Sequence, residues 1–139
     1  MSIELVRRPE GLGEPLGRYS HISIVRDAGL VFIAGQVGLL ENGELAGQGT
    51  FGDQVKQAFA NVATALHAVG LRPQDLVKTT TFIVEGQDID EFMAARTEVF
   101  AAMFPEQKYP PNTILYVSRL VEERLLFEIE AIAAAGSSQ

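Results

Sequence analysis

One carboxylate lies inside an apolar stretch near the end of the chain. Glu128 stands between Phe127 and Ile129, within a predicted strand at 125–133. If its side chain is partly buried, lost solvation disfavours the charged form and raises its pKa toward neutral pH, where it could transfer protons. If it lies on an exposed sheet face, it is an ordinary surface acid. Glu130 shares its face of the strand and is expected to serve packing or a subunit contact.

Three further positions could contribute to a pocket. Tyr19 follows a loop rich in Gly and Pro, where an aromatic side chain can act as a lid or as a packed plug. Asn112 follows two prolines, and it either lines a pocket or bonds to nearby backbone where a strand begins. Gly35 stands inside a strand pattern, where glycine often marks a bulge or a close backbone approach. Its alternative is tight packing between sheet and helix.

Several common catalytic centres are excluded or unsupported. The chain has no cysteine, which excludes disulfides, thiol catalysis and cysteine-ligated metals. His21 and His67 occur without an H-E-x-x-H motif or a second cluster of ligands, so we expect no metal. The serines lack a G-x-S-x-G signature, and no glycine-rich phosphate loop is evident. We therefore expect no cofactor.

Hydrophobic periodicity predicts the elements that must position these residues. Strands are predicted at 3–7, 21–25, 30–35, 76–84, 113–120 and 125–133. Helices are predicted at about 50–69 and from Ile89 to near Pro105. The first helix has capping-box spacing at Thr50 and Asp53, and Gly70 ends its apolar pattern. Asn42-Gly43 predicts a turn, and residues 136–139 are expected to form a frayed tail.

The order of these elements predicts how they are layered. The predicted strands and helices follow the order ββ, α, β, α, ββ. In this order the two helices cannot be divided evenly between the two faces of a sheet. We expect an α+β fold with two helices on one face of a mixed sheet, in a single domain at 1–139. The other face would expose Phe82, Val84, Leu126 and Ile132 among polar neighbours. An exposed apolar sheet face is typical of an oligomer.

Composition and charge narrow the choice of partners. The 139 residues carry a formal charge of −7, and their Lys and Arg residues form no basic stripe. We do not expect nucleic acid as the main partner, because its binding requires several phosphate contacts. Residues 1–20 hold no long apolar stretch, and no apolar run approaches the roughly 20 residues of a membrane helix. The expectation is a cytoplasmic protein that takes a small-molecule substrate, with no signal peptide and no membrane segment.

Four stretches, in matching order and spacing, resemble the Rid/YjgF family. They are residues 17–21 around Tyr19, Ala-Gly-Gln-Val-Gly at 34–38, Val-Lys-Thr-Thr-Thr-Phe at 77–82, and the block 110–133. That block contains Arg119-Leu120 and Glu-Ile-Glu-Ala-Ile-Ala at 128–133. The resemblance covers nearly the whole chain. It implies a chorismate-mutase-like ββαβαββ fold and a homotrimer whose sheets line a central barrel, with pockets at the subunit clefts.

The resemblance also implies the residues of the pocket. In deaminating members an arginine grips the substrate carboxylate, and a glutamate on the last strand positions or activates water. A tyrosine from an early loop closes the site, and backbone groups beside a Ser-Gly-Gln segment assist. The implied catalytic residues here are Glu128 and Tyr19. The implied substrate-binding residues are Asn112, Gly35, Ala34, Ile114 and Thr97.

Some of these positions depart from the family pattern. Asn112 replaces the arginine, Ala34 replaces the serine, and Ile114 stands where a cysteine is common. A neutral amide lacks the planar charged fork that binds a carboxylate in two places. Either the substrate is neutral at that end, or another cation replaces the arginine, or the activity differs. Arg18 and Arg96 are the candidate replacements.

The first functional hypothesis is a cofactor-free hydrolase that cleaves the C=N bond of an enamine or imine and releases ammonia. Glu128 would hold the attacking water, backbone amides near Gly35 and Ile114 would polarise the substrate, and Asn112 would bond to a neutral or weakly charged end. The alternative is a metabolite-binding or regulatory trimer without turnover. Ribonuclease or chaperone-like roles, ascribed to some relatives, are least favoured because of the acidic charge and the missing nuclease motif.

Overall fold

In the computed structural model, residues 2–135 are described, and they form one mixed sheet with two helices packed on a single face. The elements in chain order are β1 (Ile3–Val6), β2 (Ile22–Val25), β3 (Leu30–Val37), α1 (Phe51–Ala68), β4 (Leu76–Val84), α2 (Ile89–Met103), β5 (Asn112–Val117) and β6 (Phe127–Ala134). The tail predicted at 136–139 lies outside the described residues. No helix within 2–135 has the length and apolar character needed to cross a bilayer.

The sheet order is β1-β2-β3-β6-β4-β5, with β1 as an edge strand beyond the predicted ββαβαββ core. β4 and β5 are parallel and are connected through α2, whereas the other neighbouring strands are antiparallel. β6 is central, so Glu128 is in register with Val37 on one side and Phe82 on the other. The predicted α+β architecture, with two helices on one face of a mixed sheet, is confirmed.

The first helix, α1, begins at its predicted cap. The backbone N–H of Asp53 donates to Thr50 Oγ1 at 3.2 Å. The Asp53 carboxylate accepts instead from the N–H of Gln48 at 2.8 Å, so half of the predicted capping box forms. Gly70 follows the helix with φ +79°, a conformation that glycine adopts without steric penalty. Sequence periodicity and caps therefore determine this element locally.

The core lies between the helices and the sheet face that they cover. Fully buried side chains come from both helices and from alternate positions of β4 and β6, namely Val55, Val62, Leu66, Ile83, Phe92, Phe127 and Ile129. The ring of Phe127 packs against Phe59 and Phe92 with centroid separations of 5.8 and 5.6 Å. Because side chains alternate along a strand, Glu128 points to the opposite, uncovered face.

The uncovered face carries apolar side chains, as predicted, with one exception. Phe82, Val84 and Ile132 lie half-buried there. Leu126 precedes β6, which begins two residues later than predicted, and its side chain packs partly against the core. β3 extends two residues beyond its predicted end, to Val37. β5 ends three residues before its predicted end, at Val117, because Val117 is in register with the last residue of β4.

Candidate active site

A bulge interrupts β3 beside Glu128. Ile33 is in register with Ala131 and Gln36 with Ile129, so the two residues between them, Ala34 and Gly35, oppose one residue of β6. The N–H of Ala34 donates to the carbonyl of His21 at 2.7 Å, which continues the pairing of β3 with β2 beyond Ile22 and Ile33. The bulge therefore redirects the backbone at two of the predicted site residues.

The bulge brings the backbone of Gly35 against the Glu128 carboxylate. A Cβ atom on Gly35 would lie 1.7 Å from Oε2 and 2.6 Å from Cδ of Glu128. No side chain larger than hydrogen fits there while Glu128 keeps this rotamer. The close backbone approach at Gly35 is thus to the Glu128 side chain, and not to a helix.

Glu128 is half-buried and is free to contact a ligand. Among the residues that the structure describes, no hydrogen-bond donor contacts its carboxylate. Burial raises the pKa of Glu128 above its ordinary value of 4.5, and the negative charge of Glu130 raises it further. A carboxyl group in this state can give and take protons nearer neutral pH.

Glu128 opens into a cavity of about 950 Å³, here called the Glu128 cavity. Its walls come from the β3 bulge, from the loop before β2, from residues 39–43, from Asn61 of α1 and from the segment before β6. The predicted residues Tyr19, Ala34, Gly35 and Glu128 all line it. The fold therefore unites both implied catalytic residues and the implied backbone groups in one space.

A buried histidine connects the loop around this cavity to the bulge. His21 Nε2 lies 3.0 Å from the carbonyl of Gly13, and Nδ1 lies 3.0 Å from Gln36 Nε2. Because Gln36 Nε2 also donates to the Ala34 carbonyl at 3.1 Å, its amide orientation is set, and Nδ1 must accept. His21 is then neutral with its proton on Nε2. Burial lowers the pKa of His21 below 6.5 and favours that form.

Tyr19 lies at the edge of the Glu128 cavity. Its hydroxyl accepts a hydrogen bond from the N–H of Leu16 at 3.0 Å, and its ring meets His21 edge-on with centroids 6.1 Å apart. The side chain is 39 % exposed. The ring is thus held by its own loop at the cavity mouth, and its role as a lid remains a prediction.

The remaining polar candidates lie on the other face of the sheet. Thr97 and Asn112 line a second cavity of about 550 Å³ between the helices, β4 and the segment before β5. Arg96 also lines it, so it is here called the Arg96 cavity. Asn112 is in register with Thr79 on the helix-covered face, opposite in direction to Glu128. One protomer therefore does not bring Asn112 and Glu128 into one site.

Asn112 is occupied by contacts within the sheet. Thr79 Oγ1 donates to its Oδ1 at 2.9 Å, and its Nδ2 donates to Thr81 Oγ1 at 3.4 Å. Ile114 is half-buried, packs against the core and lines neither cavity. Arg18 lies in a shallow depression beside Tyr19, away from Asn112. Of the two candidate replacement cations, Arg96 is the one that shares a cavity with Asn112.

Sequence reasoning missed two polar residues that support the site. Gln36 orients His21, and its burial at 3 % exposure was not anticipated. Gln54, fully buried in α1, accepts from the N–H of Leu126 at 2.9 Å and donates to the carbonyl of Arg124 at 3.1 Å, which fixes the start of β6. The sequence signal that could have identified Gln36 and Gln54 was a long amide side chain within an otherwise apolar pattern. Within 2–135, no three His, Asp or Glu side chains assemble as metal ligands.

Comparison with known proteins agrees with this fold. Residues 11–135 match the family model described as Endoribonuclease L-PSP. A RutC family protein of Pyrococcus horikoshii is 35% identical over 125 residues, covering 89% of this chain and 92% of the relative. The Escherichia coli protein named "Putative reactive intermediate deaminase TdcF" is 32% identical over 134 residues, covering 94% of each chain.

Solved structures agree over almost the same length. E. coli TdcF with bound serine has a TM-score of 0.75 at 29% identity, covering 96% of this chain and 98% of that one. The YjgF gene product of E. coli has a TM-score of 0.80 at 26% identity, covering 94% of this chain and 98% of that one. By its sequence match and its fold, the chain belongs to the Rid/YjgF family, whose model carries the description Endoribonuclease L-PSP.

Proposed function

We propose that this protein hydrolyses reactive enamines or imines and releases ammonia, with Glu128 as its acid–base group. The observation that carries the proposal is the half-buried Glu128 carboxylate, held against the Gly35 backbone at the wall of a 950 Å³ cavity. A raised pKa suits a group that must take a proton and return it. The relative named as a reactive intermediate deaminase supports the same reaction class.

The arrangement suggests a short reaction sequence. The Glu128 carboxylate accepts a proton from water as the water oxygen attacks the imine carbon, and it returns that proton to the nitrogen, which gives a neutral carbinolamine. Glu128 then takes the carbinolamine O–H proton and passes it to the nitrogen, the C–N bond breaks with its electron pair on nitrogen, and ammonia leaves as the carbonyl forms. An imine carbon is already electrophilic, so positioned proton transfer suffices and no cofactor is required. The backbone of Gly35 adjoins the carboxylate, where its N–H would polarise the substrate.

We further propose that the working unit is a homotrimer with its sites at subunit clefts. Within one protomer, Glu128 and Asn112 point to opposite faces of the sheet, and the Glu128 cavity and the Arg96 cavity share no lining residue. A site that uses both sets of residues needs two copies of the chain. The apolar side chains on the uncovered sheet face support such an assembly, since burying them against another copy is favourable.

A binding protein without turnover is the second candidate. TdcF was crystallised with bound serine, which shows that a relative binds a small amino acid. In this chain Asn112 stands at the implied carboxylate-gripping position, and its amide is engaged with Thr79 and Thr81. A pocket that keeps its shape but loses a gripping residue is compatible with a receptor as well as with an enzyme.

Ammonia release separates these candidates. Wild type, Glu128→Gln and the exposed-charge control Glu85→Gln are assayed against imines and enamines generated in situ, some with a carboxylate and some without. We expect turnover by wild type and Glu85→Gln, and a loss of about a hundredfold or more in Glu128→Gln. Full activity in Glu128→Gln contradicts the assignment. If wild type accelerates no substrate, the binding role is favoured; RNA cleavage that is lost in Glu128→Ala would favour the ribonuclease.

A further inference from the structure

The Arg96 cavity has a charge opposite to that of the chain as a whole. Its lining residues, as far as the structure describes them, include Arg96 and no Asp or Glu. The chain carries a formal charge of −7. A positively charged cavity without its own carboxylate, in an acidic protein, favours an anionic ligand.

Arg96 is held in place without being neutralised. Its guanidinium carbon lies 4.9 Å from the ring centroid of Phe92 and 5.8 Å from that of Phe100. One N–H group donates to Met93 Sδ at 3.0 Å. Within residues 2–135, no carboxylate lies within ion-pair distance of Arg96. The two rings attract the guanidinium as a cation, and its other N–H groups have no hydrogen-bond partner within residues 2–135 and are available to a ligand.

Asn112 is poorly suited to bind a carboxylate. Both ends of its amide are bonded to the hydroxyl groups of Thr79 and Thr81. One N–H of its Nδ2 has no partner within residues 2–135, but the amide would contribute no charge to a bound carboxylate. Among the residues that line this cavity, Arg96 is therefore the group suited to an acid.

The rest of the cavity is suited to an apolar body. Aromatic rings contribute much of its wall, namely Phe59, Phe100, Phe104 and Tyr109. The rings of Phe100 and Tyr109 are stacked, with centroids 5.5 Å apart and planes at 21°. Aromatic walls of this kind accept a ring or a branched chain in offset-stacked or edge-on contact.

We propose that Arg96 is the carboxylate-binding and specificity-determining residue of this protein, and that the Arg96 cavity takes an organic acid with an aromatic or otherwise apolar body. Binding of such an acid does not depend on turnover. If the acid is the substrate, an identification that rests on the proposed function, the substrate is a 2-imino acid or its enamine with an apolar side chain. Arg96 then compensates for the arginine that Asn112 replaces.

Equilibrium binding tests the charge preference directly. Calorimetry measures 3-phenylpropanoate and its uncharged amide, 3-phenylpropanamide, against wild type, Arg96→Gln and Arg18→Gln. We expect wild type and Arg18→Gln to bind the acid about tenfold more tightly than the amide, which corresponds to about 1.4 kcal/mol. Arg96→Gln should lose that preference while its affinity for the amide stays unchanged. The Arg18 variant removes the same charge outside the cavity and is the matched control.

Three results would overturn the assignment: wild type that does not bind the acid, an Arg96→Gln variant that binds it as wild type does, or an equal loss of acid and amide. Ammonia release distinguishes this failure from that of the proposed function. If wild type has the charge preference but deaminates nothing, the Arg96 assignment stands and the deaminase falls. If Arg96→Gln deaminates acidic and neutral substrates as wild type does, with unchanged binding, the Arg96 assignment falls and the deaminase stands.

Discussion

The Cα hydrogens of Gly35 face the carboxylate of Glu128 so closely that a methyl group at residue 35 would lie 1.7 Å from Oε2. The bulge at Ala34 and Gly35 creates this proximity by opposing two residues of β3 to one of β6. A methyl group at residue 35 and the present rotamer of Glu128 therefore exclude each other.

Gly35→Ala should displace Glu128 and so damage catalysis more than folding. The added methyl group forces the carboxylate into another rotamer, and we expect a drop in unfolding free energy of about 1–2 kcal/mol. Deamination should fall at least about tenfold, because small misplacements of a reacting group are expensive. Urea unfolding and ammonia release measure the two effects.

A double-mutant cycle provides the control for this prediction. In Glu128→Ala the obstructing carboxylate is absent, so adding Gly35→Ala should change stability by less than about 0.5 kcal/mol. An equal stability loss in both backgrounds would mean that Gly35 is required for another reason, such as backbone conformation.

The proposed deaminase activity should decline on acidification with the titration of Glu128. A base must be deprotonated to accept a proton from water, so kcat/KM should fall as pH decreases through the raised pKa of Glu128, above 4.5. Glu130→Gln removes the neighbouring negative charge and should move this acid limb to lower pH. A pH–rate profile that is identical in Glu130→Gln would show that the limb belongs to another group.

The free energy of unfolding should respond to the titration of Glu128 in the opposite direction, because it should fall as pH rises. Because its folded pKa exceeds that of the unfolded chain, the folded state binds more protons, and the stability contributed by this group is lost as pH rises from 4.5 through the raised pKa. Glu128→Gln removes that loss. At neutral pH the variant should be more stable than wild type by about 1 kcal/mol or less, since the group is partly solvated. Lower stability of Glu128→Gln at neutral pH would indicate that the carboxylate is paired in the working assembly.

His21 should make the protein sensitive to mild acid. Its pKa lies below the value of 6.5 in the unfolded chain, so below that pH the unfolded state binds more protons and stability falls until the folded pKa is passed. A proton on Nδ1 would face the Gln36 amide donor. Unfolding in urea from about pH 8 to about pH 5 measures this loss.

Two histidine variants separate this effect from general acid sensitivity. His21→Gln does not titrate and should remove this part of the pH dependence, with a loss of about 1–2 kcal/mol at pH 8 from the broken contact to Gln36. His67→Gln, at an exposed position of α1, should retain the wild-type dependence. If both variants behave like wild type, protonation of His21 is not linked to folding.

Most elements of the fold could be predicted because their signals are local. The bounds of β4 match the prediction residue for residue, and α2 begins at the predicted Ile89 and ends at Met103, near the predicted stop at Pro105, since apolar spacing and composition act within each segment. The end of β5 was wrong by three residues, because it depends on where its partner β4 ends. Strand length at a sheet edge is a property of the pair, which a single strand's pattern does not contain.

The site was harder to predict because it depends on register and on sheet order. The apolar pattern placed Glu128 in a strand but did not determine on which face of the sheet its side chain lies. The residues that flank Glu128 depend on the central position of β6 in the sheet. β5 and β6 both pair with β4, and their registers on β4 direct Asn112 and Glu128 to opposite faces of the sheet. The contacts of Gln54 to Arg124 and Leu126 join residues far apart in sequence, and no local spacing encodes them.

Phe32→Glu should separate assembly from folding. Phe32 is 38 % exposed on the uncovered face and in register with Ile132, so a charge there would be buried against another copy in the proposed trimer. Light scattering should give three times 15.1 kDa for wild type and 15.1 kDa for the variant. Ala60→Glu, on the exposed side of α1, should stay trimeric. Because the proposed site needs two copies, a folded monomeric variant should also lose deamination although its Glu128 cavity is intact; full turnover by such a monomer would place the whole site within one chain.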